Sequence, residues 1–509
     1  MSTDHLTSYL LSASAVSDLT DCQIGELSSS FIPNGDIAPY TALDHFDQPL
    51  RQRGQLLFRS GKSLELIDET GRHWSESLTD SADFVDGIPD GSLKQALARL
   101  SRLRRLLPVG AGQWQQAQIA LTDDQGKTHC RLRLTLLTST PGHAVAIATL
   151  QGLKGYDESL SLLEQRVFEA GGTPFDSQAL YDALFPMPSA PPGKARASIA
   201  SDATAIQAAN DIIAPQLRAA RANEAGIIAD HDTEFLHDYR VQLRKIRSVL
   251  SLFKGVYDDA LNADLKAQFS ALMTPTGKLR DLDVYLLDKA RYYELLPKSL
   301  HTGLDTLYSM FARNRDVEQE RLAGYLQSKS YRDQIAKLSA LFASPERLKS
   351  GPGAALPVRQ YACNLIWARY RKVCRIAAKI DDTTPDERVH DLRIECKKLR
   401  YLMEFFSTMF PETAIKNVLR PLKQLQDNLG LFNDYSVQQI NLSQAMQNLP
   451  VTNQPPDVEV AQSVGALIAV LHGRQLDERA KVTQNLIHFD SLQIREAYRL
   501  LFQPQQDAV

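Results

Sequence analysis

The sequence predicts a two-part protein: an N-terminal α+β domain over residues 1–184, then an all-α domain over 204–509 that is duplicated and pseudo-two-fold symmetric. Three observations carry this. At 509 residues the chain exceeds one ordinary hydrophobic core. A proline-rich stretch, 185–203, with Pro186, Pro188, Pro191 and Pro192, reads as an interdomain linker between regions of different periodicity. Beyond it, the sequence repeats itself at a fixed offset of 153 residues.

Before the linker, polar and apolar residues alternate over 129–136, and 113–122 and 143–150 behave alike, as half-buried strands do. Asp123-Asp124-Gln125-Gly126 stands where a hairpin turn belongs. Residues 93–107 and 159–170 read as helices. The expectation is a sheet or barrel with a few helices. After the linker, apolar residues recur every three or four positions almost to the end, which predicts a nearly all-helical region. Two further low-order stretches, 344–358 and 450–457, divide it. The first separates repeat one, 204–343, from repeat two, 358–509.

Composition bounds the function. No run of 18 apolar residues exists, so no membrane span is expected, and the N-terminus lacks the basic flank of a secretory signal. The five cysteines form no CxxC pair and are odd in number, which fits a reducing cytoplasm and argues against disulfides or zinc. The net charge of −3 speaks against a polyanion ligand. Its distribution is uneven: residues 1–199 carry 17 Lys and Arg against 23 Asp and Glu, and residues 200–509 carry 40 against 37. A case for anion binding rests on local clusters, because a charged ligand feels the nearest side chains most.

The repeat supplies such clusters. His237, Asp238 and Arg240 lead into Arg244, Lys245 and Arg247, and His390, Asp391 and Arg393 lead into Lys397, Lys398 and Arg400. The same offset relates Arg218 to Arg371, Gly277 to Gly430, Asp281 to Asp434 and Arg321 to Arg474. At about 100° per residue, His237, Arg240, Arg244 and Arg247 share one arc, next to an apolar arc of Tyr239, Leu243, Ile246, Leu250 and Phe253. His390, Arg393, Lys397 and Arg400 repeat the stripe, while Lys245 and Lys398 fall off it. Like charges one turn apart destabilise a helix by a few tenths of a kcal/mol. A solvated face alternates sign more cheaply, so an anion is expected to supply the counter-charge. Thr384-Pro385-Asp386-Glu387 offers a capping box that places His390 one turn into its helix, near the positive helix end. The neutral histidine can donate one hydrogen bond to a phosphate oxygen. Gly277 and Gly430 read as helix caps or tight turns. Asp281 and Asp434 read as N-caps or as acids that orient the basic side chains.

The doubled H-D-x-R-x-x-x-[RK]-K-[IL]-R pattern resembles the CHAD family (conserved histidine α-helical domain) over roughly 200–509. The resemblance implies two pseudo-symmetric bundles around a basic groove or pore that holds inorganic polyphosphate. It implies a binding set of His237, Arg240, Arg244, Lys245 and Arg247, with His390, Arg393, Lys397, Lys398 and Arg400. Arg218, Arg371, Arg321 and Arg474 are secondary candidates. Residues 30–175 resemble a CYTH-type domain, the triphosphate tunnel fold, through Tyr40, the run His45–Leu50 to Arg59, and the segment 150–156. That family's Glu-x-Glu-x-Lys strand is missing: Glu26 is the single glutamate within residues 1–40. Without the carboxylate pair no metal ligand set is evident. This domain is therefore expected to be a degenerate accessory without catalysis, metal or cofactor. Arg59, Arg131, Arg133 and Lys154 could line a polar interior, although ordinary exposed strand positions fit them better. Gly61-Lys62-Ser63 fails as a P-loop, because Leu56 stands where the leading glycine belongs.

Two alternatives stay open. One is a metal-dependent triphosphatase or polyphosphatase with an atypical N-terminal site, for which Glu65 and Asp68 are isolated candidates. The other is a nucleic-acid binder, which the absence of aromatics among the stripes disfavours. The expected location is the cytoplasm, with polyphosphate granules as a site of association.

Overall fold

The computed structural model describes residues 7–79, 82–140, 142–186, 199–447 and 455–503. The chain divides into two compact units, 1–193 and 194–509. The proline-rich stretch lies mostly outside the described residues, as does most of 450–457. Ala203, assigned to the linker by sequence, is buried in the helical unit.

The first unit is an antiparallel sheet of eleven strands that curls into a half-barrel. Its spine is the long strand Leu107–Thr122. One edge of this strand pairs from Gly112 to Thr122 with Thr128–Ser139. The other edge pairs with Ala38–Asp44 over its first half and Leu27–Pro33 over its second. Alternation in the sequence sets the two faces. Cys130, Leu132 and Leu134 point into a core closed by Leu163 and Val167 of the helix Asp157–Glu169. Arg133 and Thr135 point the other way and line a cavity of about 850 Å³ with Arg72, His73, Gln116, Gln118 and Thr149.

The turn at 123–126 forms as read: Gly126 takes a positive φ and Asp123 accepts from the Gln125 and Lys127 amides. The helix expected over 93–107 does not form. The helix Ser92–Ala96 is short, because Asp83 draws the chain away: its backbone carbonyl accepts from the Leu106 amide and its carboxylate pairs with Arg105.

The second unit is helical throughout its regular elements. Its matching elements obey the 153-residue offset at their first residues. The helix Ala205–Ala222 corresponds to Val358–Ala377, and Thr233–Leu252, the first stripe helix, to Asp386–Phe405, the second. Asp259–Met273 and Gly277–Leu287 correspond to one unbroken helix, Glu412–Gln447. The break in repeat one is a 3-10 turn, Thr274–Thr276, built around Pro275.

Three contacts join residues that are each other's equivalents. Thr204 bridges Pro357, flanked by Ala205 N–H to the Leu356 carbonyl and Val358 N–H to the Ala203 carbonyl, both 2.9 Å. Phe253 stacks on Phe406, centroids 5.0 Å apart. The Tyr285 hydroxyl donates to the Gln438 carbonyl at 3.3 Å. A residue that touches its own equivalent lies on the symmetry axis, so these three points trace it. A single apolar cluster spans both repeats, with Leu304, Leu307 and Phe311 from one and Val460, Val464 and Leu467 from the other.

The 344–358 stretch is no free linker. Gly351 and Gly353 donate to the carbonyls of Val256 and Gly255. Gly351 has room for no side chain, since a Cβ there would stand 2.4 Å from the Gly255 oxygen.

Candidate functional site

Asp232 caps the first stripe helix by accepting from the Glu234 and Phe235 amides, which sets His237 about one turn in. The second stripe helix starts differently. Pro385 is its N-cap and no side chain closes it; Thr384 turns back to Asp381 and the Lys379 carbonyl, so the expected capping box is absent. His390 still lies one turn in. The apolar arcs behave as predicted: Tyr239, Leu243, Ile246, Leu392, Cys396 and Leu399 are all buried.

The first stripe meets a cavity of about 410 Å³ on the axis, and no residue of the second stripe lines it. His237, Arg240 and Arg244 line it, with Arg280, Asp281, Tyr285, Asp288 and Arg291 from the following helices of repeat one. Repeat two contributes Asp434, Tyr435, Gln438 and Asn441. Arg240 donates to the Thr276 hydroxyl. Burial and the neighbouring Arg244 lower its pKa, while Asp281 opposes them. Lys397 stands at the edge of this field: burial lowers its pKa first, then Arg393, while Asp434 raises it and Arg244 of the opposite repeat lowers it further. The two stripes therefore sense each other across the axis. Arg393 pairs with Asp434 at 3.4 Å.

His390 Nδ1 lies 2.8 Å from Asn433 Oδ1, and the Asn433 amide nitrogen donates to Asp434, which fixes the amide's orientation. The single proton of a neutral His390 is thereby committed to Asn433. It can donate to a phosphate only when protonated, which corrects the sequence expectation.

Other expected residues face elsewhere. Lys245 lines a separate cavity of about 650 Å³ with Glu404 and Lys416. Arg247 donates to the Met273 sulfur at 3.2 Å. Arg400 is held by Glu404 and Gln426. Arg321 pairs with Glu318 and donates to the Pro275 carbonyl. Arg218 is exposed and Arg474 half-buried, and neither lines the axial cavity. Arg371 belongs to a third surface patch.

Lys398 joins Arg369 and Lys372 on the buried Glu395. Burial pushes the Glu395 carboxyl up, but these three cations win and hold it at about 2. A carboxyl below its usual 4.5 stabilises the fold fully above that value, and the contribution is lost as pH falls from 4.5 towards 2. Glu395→Gln is expected to cost about 2 kcal/mol at pH 7, and the gap between denaturant midpoints of variant and wild type should narrow as pH falls below 4.5 and close towards pH 2. A gap unchanged at pH 3 would show that charge is not what Glu395 contributes.

Gly277 caps the C-terminal end of the 3-10 turn Thr274–Thr276, as the cap reading expects, whereas Gly430 is not a cap. Gly277 opens a helix and Gly430 lies inside one. A Cβ on Gly277 would stand 4.0 Å from the Arg240 guanidinium. Asp281 and Asp434 are likewise interior to helices and face the cations, in keeping with the orienting role rather than the N-cap one.

Sequence reasoning missed Arg280, Arg291, Tyr285 and Tyr435. Arg291 donates to the Tyr435 hydroxyl at 2.8 Å and lies over its ring. Arg280 Nη1 is buried with no hydrogen-bond partner among the described residues. The repeat filter hid both arginines, since their equivalents are Asn433 and Gln444. The two tyrosines also correct the expectation that the stripes have no aromatic company.

In the N-terminal unit, Arg59 is tied to the Ala82 carbonyl and Asp83, and Arg133 bonds Gln151 from the cavity wall. Arg131 and Lys154 do not line that cavity. Glu65 is buried against His73 and Ser75. Asp68 accepts from the Thr70 and Arg72 amides and from Trp74, and so holds a turn. Among the described residues, no group of three His, Cys, Asp or Glu side chains could hold a metal ion, and no helix is long and apolar enough to cross a membrane.

Comparison with known proteins bears on the helical unit. No curated protein matches the chain. Among solved structures, the CHAD domain from the plant Ricinus communis is 24% identical with a TM-score of 0.48, covering 58% of this chain and 96% of that one. PptA from Streptomyces chartreusis is 18% identical with a TM-score of 0.40, covering 57% and 99%. The CHAD domain family model matches residues 211–443, a span that holds both stripe helices and every residue that lines the axial cavity, so this part of the helical unit is identified as a CHAD domain.

Proposed function

We propose that the chain binds inorganic polyphosphate in the axial cavity of its helical unit, without hydrolysing it. The observation that carries this reading is the convergence of Arg240, Arg244, Arg280 and Arg291 on one cavity, with Lys397 in electrostatic reach from the opposite repeat. Burial first, and the neighbouring cations second, lower the pKa of Arg240 and of Lys397, and a bound anion relieves the repulsion between like charges. Asp281, Asp288 and Asp434 hold the guanidinium groups apart and aimed before a ligand arrives. They also keep the free site from being an indiscriminate cation cluster, so a chain must offer several phosphates at once to compete. The half-barrel is an accessory to this activity, and association with polyphosphate granules in the cytoplasm follows from the same reading.

The test is titration of the full chain with long-chain polyphosphate at increasing salt. By analogy with single-stranded nucleic acid, about five phosphate contacts predict a loss on the order of 100-fold between 50 and 200 mM salt. Absence of binding at low salt, or affinity indifferent to salt, would sink the proposal.

A further inference from the structure

The duplication provides an internal control. What the fold demands of a position, both copies supply; what one copy alone carries is surplus to the fold. On the outer face of the helix Ala205–Ala222, repeat one places Ala214, Arg218 and Ala222. The equivalent face of Val358–Ala377 carries Trp367, Arg371 and Arg375. Repeat one folds with alanine at two of these three positions, so packing does not explain the tryptophan or the second arginine.

The three residues line a shallow cavity of about 530 Å³, walled on its far side by Leu492, Arg495 and Arg499 of the C-terminal helix Leu492–Phe502. Its floor is aromatic: Tyr370 stacks on Tyr498 at 3.9 Å, and Trp367 leans on Tyr370 at 5.8 Å. The four arginines are not equivalent. Arg495 is neutralised by Asp490 and Arg499 by Glu496, each through two hydrogen bonds. Arg371 and Arg375 have no hydrogen-bond or ion-pair partner among the described residues, although Arg369 and Lys372 on the same helix are both paired to Glu395. Leu492 is 84% exposed beside them. The Cys374 thiol is pushed up to about 12, chiefly by burial, so the patch offers binding chemistry rather than a nucleophile.

A half-buried indole next to two unpaired guanidinium groups, one and two turns along the same face, suits a ligand with an aromatic ring at one end and phosphates at the other. Successive turns carry the charges about 6 Å apart, a spacing that one phosphorylated molecule can span. The cavity is of the size that small ligands occupy. A bare phosphate chain would use the arginines and leave the indole idle. We propose that this patch binds a nucleoside phosphate, its base stacked on Trp367 and its phosphates on Arg371 and Arg375. The site is separate from the axial cavity, with which it shares no lining residue.

The experiment is titration of the full chain with ATP, followed by tryptophan fluorescence and by calorimetry, with tripolyphosphate as a probe that has no base. Wild type should show quenching that Trp367→Ala abolishes, although Trp74 and Trp114 remain. Calorimetric affinity should fall about ten-fold in that variant through loss of stacking, and at least as far in Arg371→Ala/Arg375→Ala. Tripolyphosphate should bind more weakly than ATP and without quenching. Long-chain polyphosphate binding in the axial cavity should be the same in all three proteins, so loss of that activity would be read separately. ATP affinity indifferent to these substitutions, or tripolyphosphate binding as tightly as ATP, would overturn the proposal.

Discussion

Arg244→Ala combined with Lys397→Ala is expected to weaken polyphosphate binding on the order of 100-fold, since each charge-assisted contact is worth roughly ten-fold. The pair is chosen across the axis. Arg244 lines the cavity from one repeat and Lys397 senses it from the other. Neither is needed for the fold: both residues reach solvent, although the Lys397 ammonium is partly desolvated by its neighbours, and neither takes part in a salt bridge among the described residues. The salt dependence should flatten as well, its slope falling by about 1.4 for two lost phosphate contacts. Arg280→Ala should also weaken binding, although no repeat pattern marks it. Arg218→Ala and Arg321→Ala should leave affinity unchanged, because neither side chain lines the cavity. Wild-type affinity in the double variant would remove the axial cavity from consideration.

The second large effect is on stability. Phe253→Ala is expected to cost about 3–5 kcal/mol, the usual range for a deleted buried aromatic. Phe253 is 1% exposed and Phe406 fully buried, and Phe253 also meets Tyr361 and Phe405 edge-on. Phe406→Ala should cost a similar amount. The double variant should lose less than the sum, by about 0.5–1.5 kcal/mol, because the two rings stack on each other. Denaturant unfolding of the four proteins measures the cycle. A loss under about 1 kcal/mol for Phe253→Ala would mean that the halves are not locked at this point of the axis.

Much of this was legible in the sequence, for identifiable reasons. A duplicated chain announces its own alignment, and the structure's matching helix starts at 205 and 358, 233 and 386 keep the offset between His237 and His390. Strand alternation around Cys130 and Leu132 was equally plain. What escaped were features that depend on contacts across the fold. The helix expected over 93–107 gave way to tertiary bonds at Asp83, which no local pattern records. Gly430 looked like a stop because glycine is rare inside helices. The cavity's other arginines were missed because they break the symmetry that found the rest. Lys245, Lys398 and Arg400 were included because a linear motif cannot tell which flank of a helix faces a cavity and which faces Glu404 or Glu395.

The contact between Tyr285 and Gln438 has an evolutionary reading. In a dimer of identical subunits, a residue on the two-fold axis must meet a copy of itself, so every change there is made twice at once. Two halves joined in one chain are free of that rule. Here a tyrosine faces a glutamine across the axis, an arginine beside one histidine answers to an asparagine beside the other, and a tryptophan on one outer face answers to an alanine. Covalent fusion converts a self-complementary interface into one whose sides can specialise independently. Further divergence between the halves should collect at such axial and outer positions, while the stacked Phe253 and Phe406, each the other's packing surface, remain bound to change together.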